Sequence, residues 1–598
     1  MTATQDHAAA PGPTAAQDHA AAPGSPAPAP GSPVDVDALE LRLGDPLDPR
    51  NPVGHAAVLA ADEAGHPLRA GEALLDDYGF NAEFVPRRLG GRFTTVDRLA
   101  QQARALARRD CTMGLAYGIT NYISGAPIWT DGSPEQQRWA ADTLLDGRRI
   151  SAGYTELPHG NDFTRNELTA RRVGDHYLVS GRKELINNIS RADGLLLFAR
   201  TDEAPGSRSH THLLIDLAAI PQDRFRYLPR FTTAGVRGCR LAGIEFRDCP
   251  VPASAVVGEA GGAMEAVLRA FQTTRGMLPG MAVGILDSQL RTVAGFARGR
   301  VLYGREVAEL PHARSVLTGA FTDLLIGDAL ATIAARSLHL LPDETSVSTA
   351  AAKYLVPKLL READYRLSVL LGARSYLREG PHAVFQKNSR DLQLLTFGHA
   401  NATVCQATLV PQLPRLAQRS WAAETAVPAP ARLFRFTEAL PELDYHRLQL
   451  TSRGADSLSA VLGTPVDAPG PARLAALFLD ELRELKERVG ALGALDRTVV
   501  AGRRGFLLAD RYAVVLAAAS CLGIWQQADA AADPFLADPA WLTAALHRLA
   551  VRLGRTGQAP DEGAHDRLLA ELLARVDTSR SLDLAGRTLH GHRPDRAR

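Results

Sequence analysis

The chain has 598 residues, 45% of them hydrophobic, with 67 Lys and Arg against 66 Asp and Glu for a net charge of +1. That length exceeds what one core serves, so several domains are expected. The balanced charge excludes a general nucleic-acid or anionic-membrane binder, which needs a basic excess gathered on one face.

In chain order, residues 1–37 read as a disordered Ala/Pro/Gly leader in which QDHAAAPG occurs twice, and its His7 and His19 are too widely spaced to make a convincing metal site. No basic stretch precedes an apolar one there, so no secretory signal is expected. Residues 38–149 read as a helical domain. TTVDRLAQQARALARR has a Thr cap and apolar residues at helical spacing, and SPEQQRWAADTLLDG starts at Ser-Pro and stops at Gly. Residues 150–258 change texture to a β-domain: LTARRVGDHYLVSGRKELINN holds two alternating runs split by Gly-Asp, and GLLLFAR and HLLIDL read as buried strands. Residues 259–425 return to the helical period and suit a helix bundle. A Pro-bearing connector at 426–470, a helical extension at 471–576 and a polar, solvated tail at 577–598 complete the chain.

The apolar run AVVLAAASCLGIW, residues 513–525, is shorter than the roughly 20 residues that span a bilayer and reads as a buried helix, so no membrane span is expected. Cys111, Cys239, Cys249, Cys405 and Cys521 form no CxxC or Cys/His cluster, which fits a reducing cytoplasm and no metal. SHTH at 209–212 offers two ligands without a third and reads as an exposed loop and strand start. RGADSLSAVLGTP at 453–465 contains the Asp-Ser-Leu of carrier proteins, yet Gly463 and Pro465 stop the helix such a serine should open, so a short capped helix is the reading. HRLAVRLGR and ELLARV are expected to dock one face on the bundle or a partner. No GxGxxG before a helix, GxxxxGK[ST] or GxSxG occurs.

The segment SAGYTELPHGNDFTRNELTARRVGDHYLVSGRKELINN, with VPRRLGGRFTT before it and GVRGCRLAGIEFRDCPVPASAVVGE and FARGRVLYGRE after it, resembles the acyl-CoA dehydrogenase and oxidase flavoprotein family over residues 46–416. The resemblance implies that family's mainly α architecture, an N-terminal helical domain, a central β-barrel or sandwich and a C-terminal four-helix bundle, here with an extra helical region. It also implies an FAD between β-domain and bundle. Tyr154, Thr155 and Asn187 fall on flavin-contacting positions, and Arg300 and Tyr303 on positions that reach the adenosine-phosphate half of an FAD held by a neighbouring subunit. A homodimer or homotetramer follows from such sharing. A guanidinium suits a pyrophosphate, and small residues with exposed amides suit a planar ring with polar edges.

Several positions depart from the family pattern. Aligned from Arg390 and Asp391, His399 occupies the place of the Glu that removes the substrate's α-proton, and the alternative Glu position holds Thr274 before Arg275. A neutral imidazole with an ordinary pKa near 6.5 accepts a proton at neutral pH, so His399 is the candidate base. Leu185 replaces the aromatic over the flavin, Asn161 the Ser, His312 a cofactor-contacting Gln, and GARS from Gly372 the Gly-Gly-Asn-Gly at the adenine end. Asn401 and Thr403 offer hydrogen bonds where the family has polar side chains. Gln272 stands where many members have an Asp, so with Thr274 and Arg275 it marks an altered substrate site open to CoA- or carrier-protein-bound acyl groups.

The leading expectation is therefore an FAD-dependent oxidoreductase acting at Cα–Cβ of an acyl thioester or related small acid derivative, its electron acceptor open. Two rivals stand beside it: an oxygen-using flavin oxidase or hydroxylase, and a non-enzymatic family member acting as a binding subunit.

Overall fold

The computed structural model describes residues 36–204, 206–555 and 562–589. Most of the leader, with both QDHAAAPG copies, and the final GHRPDRAR lie outside these. Val36 and Asp37, placed in the leader by composition, already belong to the helix Val36–Leu43, where Val36 is buried.

The kinked helix Val96–Gly114 organises the N-terminal domain. Thr95 sits at its N-cap, but its side chain makes no capping bond. The Val96 amide instead donates to His339 Nε2 (3.0 Å), far along the chain. The helix Pro134–Leu145 does carry the local device, a reciprocal capping box between Ser133 and Gln136.

At Asp110 the kinked helix is extended (φ −163°, ψ 111°), and a wide π-type turn follows at Leu115–Ile119. The carbonyls this irregularity frees are taken up by the β-domain: Asn187 Nδ2 donates to Leu115 O (2.6 Å), Asn188 Nδ2 and Arg191 Nη2 to Ala116 O (3.0 and 2.6 Å).

The β-domain contains β1 (Ile150–Gly153), β2 (Thr169–Val173), β3 (His176–Asn187), β4 (Gly194–Arg200), β5 (His210–Asp216), β6 (Phe225–Leu228), β7 (Leu241–Pro252) and β8 (Val256–Val257). They form one sheet of order β6-β7-β3-β2-β4-β5-β8, with β1 added parallel to β4. The Gly174–Asp175 turn joins β2 to β3, with Gly174 at φ +61° as a tight hairpin requires. Register breaks between Lys183 and Ile186 where β3 pairs with β7. This bulge carries Leu185 at φ +54°.

The bundle has three long helices, Ala263–Gly299, Pro311–Leu340 and Thr345–Leu371, and the shorter Ala402–Leu409. The first lies against the kinked helix closely enough that a Cβ on Gly284 would meet Arg104 O at 2.3 Å.

The connector is not a slack linker. Arg336, buried near the end of the second bundle helix, donates to the carbonyls of Leu433, Arg432 and Arg435 (each 2.8 Å) and Glu438 (3.3 Å), and to Asp97 (3.1 Å). Just before the connector's short helix Ser459–Gly463, Asp456 accepts from Ser459 N (3.0 Å), Trp421 Nε1 (3.0 Å) and Tyr512 OH (2.7 Å). Ser457, the serine of the carrier-like motif, is half-buried and bonded to Glu344 through its amide (2.7 Å) and its hydroxyl (2.5 Å).

The extension contributes Pro469–Gly490, Arg503–Gln526, Pro539–Arg552 and Glu562–Asp577, the last two packed on the second bundle helix. Arg548–Asp323 and Arg552–Glu362 ion pairs help to fasten it. Among the described residues two helices, Pro311–Leu340 and Arg503–Gln526, are long and apolar enough to cross a membrane, and both are mostly buried inside the protein.

The tail corrects the sequence reading. Ser581, Leu582, Asp583 and Leu584 are buried rather than solvated. Asp583 pairs with Arg104 Nη1 (3.0 Å) and Arg108 Nη2 (3.2 Å), while the amides of Leu582 and Leu584 donate to Asp287 (2.9 Å) and Asp328 (2.8 Å). Burial alone would raise the Asp583 pKa, but the two guanidiniums reverse it and hold the carboxyl well below its usual range.

Candidate functional site

His399 follows the four-residue helix Leu394–Phe397 in a loop where both it and Ala400 adopt left-handed backbone (φ 49° and 62°). Neither residue favours that conformation, and such strain collects at functional sites. Its Nε2 lies 2.6 Å from Thr274 Oγ1. The Thr274 hydroxyl donates to Phe271 O (3.1 Å), so it accepts from His399, assigning the proton to Nε2 and the lone pair to Nδ1. The Phe271 ring meets the imidazole edge-on with centroids 4.2 Å apart.

The imidazole is not the ordinary base its residue type suggested. Burial, then the charges of Lys353 and Arg275, push its pKa down to about 3. It is neutral at physiological pH, but weakly basic in the ligand-free protein.

Phe271 continues into a ring cluster with Tyr154 (5.7 Å) and Phe163 (5.9 Å), and Tyr154 in turn meets Phe198 (5.9 Å) and His212 (5.7 Å). This cluster joins the opening turn of the β-domain to the first bundle helix. Lys183 holds the turn from below, pairing with Glu156 (2.8 Å), whose carboxylate also accepts from the amides of Glu167 (2.7 Å) and Leu168 (3.0 Å).

Along this edge Tyr154 OH, Asn166 Oδ1 and Asn187 Oδ1 are buried without hydrogen-bond partners among the described residues. Leu185, left-handed on its bulge, stays 38% exposed. Unpaired buried polar atoms next to an exposed apolar cover fit a planar ring with polar edges. Tyr154, Thr155, Leu185 and Asn187 therefore fit a flavin.

Other implied contacts are placed differently. Asn401 caps Ala402–Leu409 by accepting from Val404 N (2.8 Å), so its carbonyl oxygen is committed to structure. Thr403 is exposed, and Asn161 is half-buried in the loop after Tyr154. Gln272 does not face a substrate: its Nε2 donates to Gln449 O (2.9 Å) and its Oε1 accepts from Thr345 (2.6 Å), tying the connector to the bundle. Arg300, Tyr303, His312 and Gly372 gather at the far end of the first bundle helix, where Tyr303 is 94% exposed and Arg300 and Arg374 both lie over Phe296.

The Arg390–Asp391 pair that located His399 is itself structural. Arg390 binds Asp62 (2.6 Å), and Asp391 accepts from Lys387 (2.7 Å) and Val236 N (2.6 Å). SHTH is a buried strand start, not an exposed loop, with His210 stacked on Phe198 at 4.6 Å. No group of three metal-ligating residues exists among the described residues, and all five cysteines are free and buried. Sequence reasoning missed Lys353, Phe163 and Phe271. The first sits in an apolar helical run where a lone lysine was the available signal.

Residues 151–249 match the acyl-CoA dehydrogenase middle domain and residues 261–401 the acyl-CoA dehydrogenase C-terminal domain. Mitochondrial isovaleryl-CoA dehydrogenase of Oryza sativa subsp. japonica is 24% identical over 258 residues, 42% of this chain and 61% of that protein, so the match spans under two thirds of the relative's length. Butyryl-CoA dehydrogenase from Megasphaera elsdenii superposes with a TM-score of 0.56 at 20% identity, covering 62% of this chain and 97% of that one. The prolyl acyl carrier protein oxidase AnaB does so at 0.53 and 20%, covering 59% and 92%. At these identities the structural likeness establishes the fold.

Proposed function

Because the chain belongs to the acyl-CoA dehydrogenase family, we propose that it is an FAD-dependent oxidoreductase that oxidises an acyl thioester, CoA- or carrier-protein-bound, at Cα–Cβ. The observation that carries this reading is the strained, Thr274-oriented His399 across the ring cluster from the unpaired polar edge of Tyr154 and Asn187. The relative that acts on a carrier-bound prolyl group supports including carrier thioesters.

When bound, FAD supplies a hydride acceptor at the substrate's β-carbon. Tyr154, Thr155 and Asn187 would hold the ring and Leu185 would shield it from water, while Thr274 fixes the imidazole so that the Nδ1 lone pair is free to take the α-proton. After proton transfer His399 is a cation, and Thr274 still accepts from Nε2.

Arg300 cannot serve a cofactor at its own chain's Tyr154. It lies 29 residues beyond Phe271 on one helix, which at 1.5 Å per residue is about 40 Å. The exposed Tyr303 and Arg300 support a homo-oligomer in which a second copy brings these groups to the adenosine end. Five free, buried thiols suit a reducing cytoplasm.

The test is colour. Purified protein should bind FAD and turn yellow, anaerobic acyl thioester should bleach it, and His399→Ala should abolish bleaching. A colourless chain that takes up no FAD refutes the flavin reading, unchanged bleaching removes His399 from the mechanism, and oxygen uptake with product hydroxylation favours a hydroxylase.

A further inference from the structure

Two cations lie buried beside His399 with no anion to answer them among the described residues. Arg275, on the first bundle helix, is 2% exposed and makes neither a side-chain hydrogen bond nor an ion pair among the described residues; its Nε is fully enclosed and unpartnered. Lys353, on the third bundle helix, is 1% exposed, and its ammonium donates to the Leu395 carbonyl and forms no ion pair among the described residues. The two share one neighbourhood, since both act on His399 and on Cys405 and Arg275 acts on Lys353. No balancing charge comes from the packed elements: Thr274 and His399 are neutral, and burial raises the Cys405 thiol so that it stays protonated.

Most other buried cations in this fold have acids or several carbonyls, as Arg109 has those of Val53 and Gly44. Lys183 has Glu156, Lys387 has Asp110 and Asp391, and Arg104 and Arg108 share Asp583. Arginine's planar fork of donors is matched by a carboxylate, and leaving it wholly unused in a protein interior is costly.

We propose that the acyl group this site takes carries a carboxylate of its own, which seats on Arg275 and Lys353 and supplies the missing anion. This rests on the thioester reading above. It gives the weak base a switch: a bound anion offsets the two cations that oppose protonation of His399 and returns the imidazole toward its ordinary range. Proton abstraction is then favoured when the charged substrate is in place. Lys353, whose pKa burial and then Arg275 bring down to about 8, is largely charged at neutral pH and ready for that anion.

Full-length protein, with and without added FAD, is melted against succinate, uncharged succinamide and chloride at equal ionic strength. Succinate should raise the unfolding midpoint with a saturating dose response that the other two lack. Lys353→Met and Arg275→Gln should each raise the half-saturating succinate concentration about tenfold or more. Without ligand, Lys353→Met should melt no lower than the parent, because it removes an unanswered charge, whereas a lysine with a purely structural role would lower the midpoint.

Calorimetric binding of succinyl- and glutaryl-CoA should be at least about tenfold tighter than that of butyryl- and valeryl-CoA. Equal responses to succinate and succinamide overturn the anion site. Succinate binding without preference among the thioesters overturns its assignment to the acyl group. A colourless protein that still binds succinate defeats the flavin reading alone, and a yellow one bleached by butyryl-CoA yet indifferent to succinate defeats this inference alone.

Discussion

The first bundle helix touches two groups of buried charge, and they are treated in opposite ways. Around Asp287, two thirds of the way along it, Arg104 and Arg108 meet Asp583, and Glu40 and Asp328 complete the set. About a third of the way along, Arg275 and the neighbouring Lys353 meet no acid among the described residues. Burial would depress the Arg108 pKa, but Asp287, Glu40 and Asp583 raise it, whereas Lys353, lacking any such acid, is depressed. The difference teaches where to look for chemistry: charge buried for architecture is answered within the chain, and charge buried for a ligand is left open.

The sharpest way to break this comparison is to make the balanced group resemble the open one. Asp583→Asn should cost about 3 kcal/mol in chemical denaturation, since it removes the acid that two guanidiniums share and leaves Arg104 to Asp328 and Arg108 to Glu40 and Asp287. In the parent, this carboxyl's folded pKa is depressed, so its stabilisation is present above the unfolded value near 4 and fades as pH falls below it. Arg336→Ala probes a third solution, a cation answered mainly by carbonyls. It should cost about 3 kcal/mol and open residues 426–450 to limited proteolysis.

Histidine offers a fourth solution, which is to lose the charge. Burial lowers the His212 pKa to about 3 and those of His210 and His339 to about 4. The unfolded chain, titrating near 6.5, binds more protons in between, so stability should be complete above about pH 6.5 and fall with acid by up to about 1.4 kcal/mol per pH unit for each. Urea midpoints on either side of that window read the slope. The smallest effect belongs to Leu185→Gly, which should stabilise the apoprotein by about 0.5–1 kcal/mol by relieving left-handed strain at a partly exposed position. The same change should weaken FAD retention.

The sequence was most informative where a local rule governs the structure. The Gly174–Asp175 hairpin, the Ser133 capping box and the β-domain running from Ile150 to Val257 each follow from residues within a few positions of one another. The family motifs placed His399, and the structure puts it against Thr274. What stayed hidden was non-local competition for polar groups. Thr95 has the right identity for a cap, yet the first-turn amides of Val96 and Arg98 go to His339 and Asp97, and Gln272 and Asn401 have polar side chains committed to Gln449 and Val404. Nothing near Asp583 in sequence announces Arg104 and Arg108.

Asp583 answers Arg108 across 475 positions of chain. On the ribosome, Arg104 and Arg108 therefore emerge on the kinked helix and can meet Glu40, Asp287 and Asp328 first, while the acid they share is translated long afterwards. The last acid of this centre is supplied from the late-made side, and a ribosome stalled before residue 583 would display Arg104 and Arg108 without the carboxylate they share.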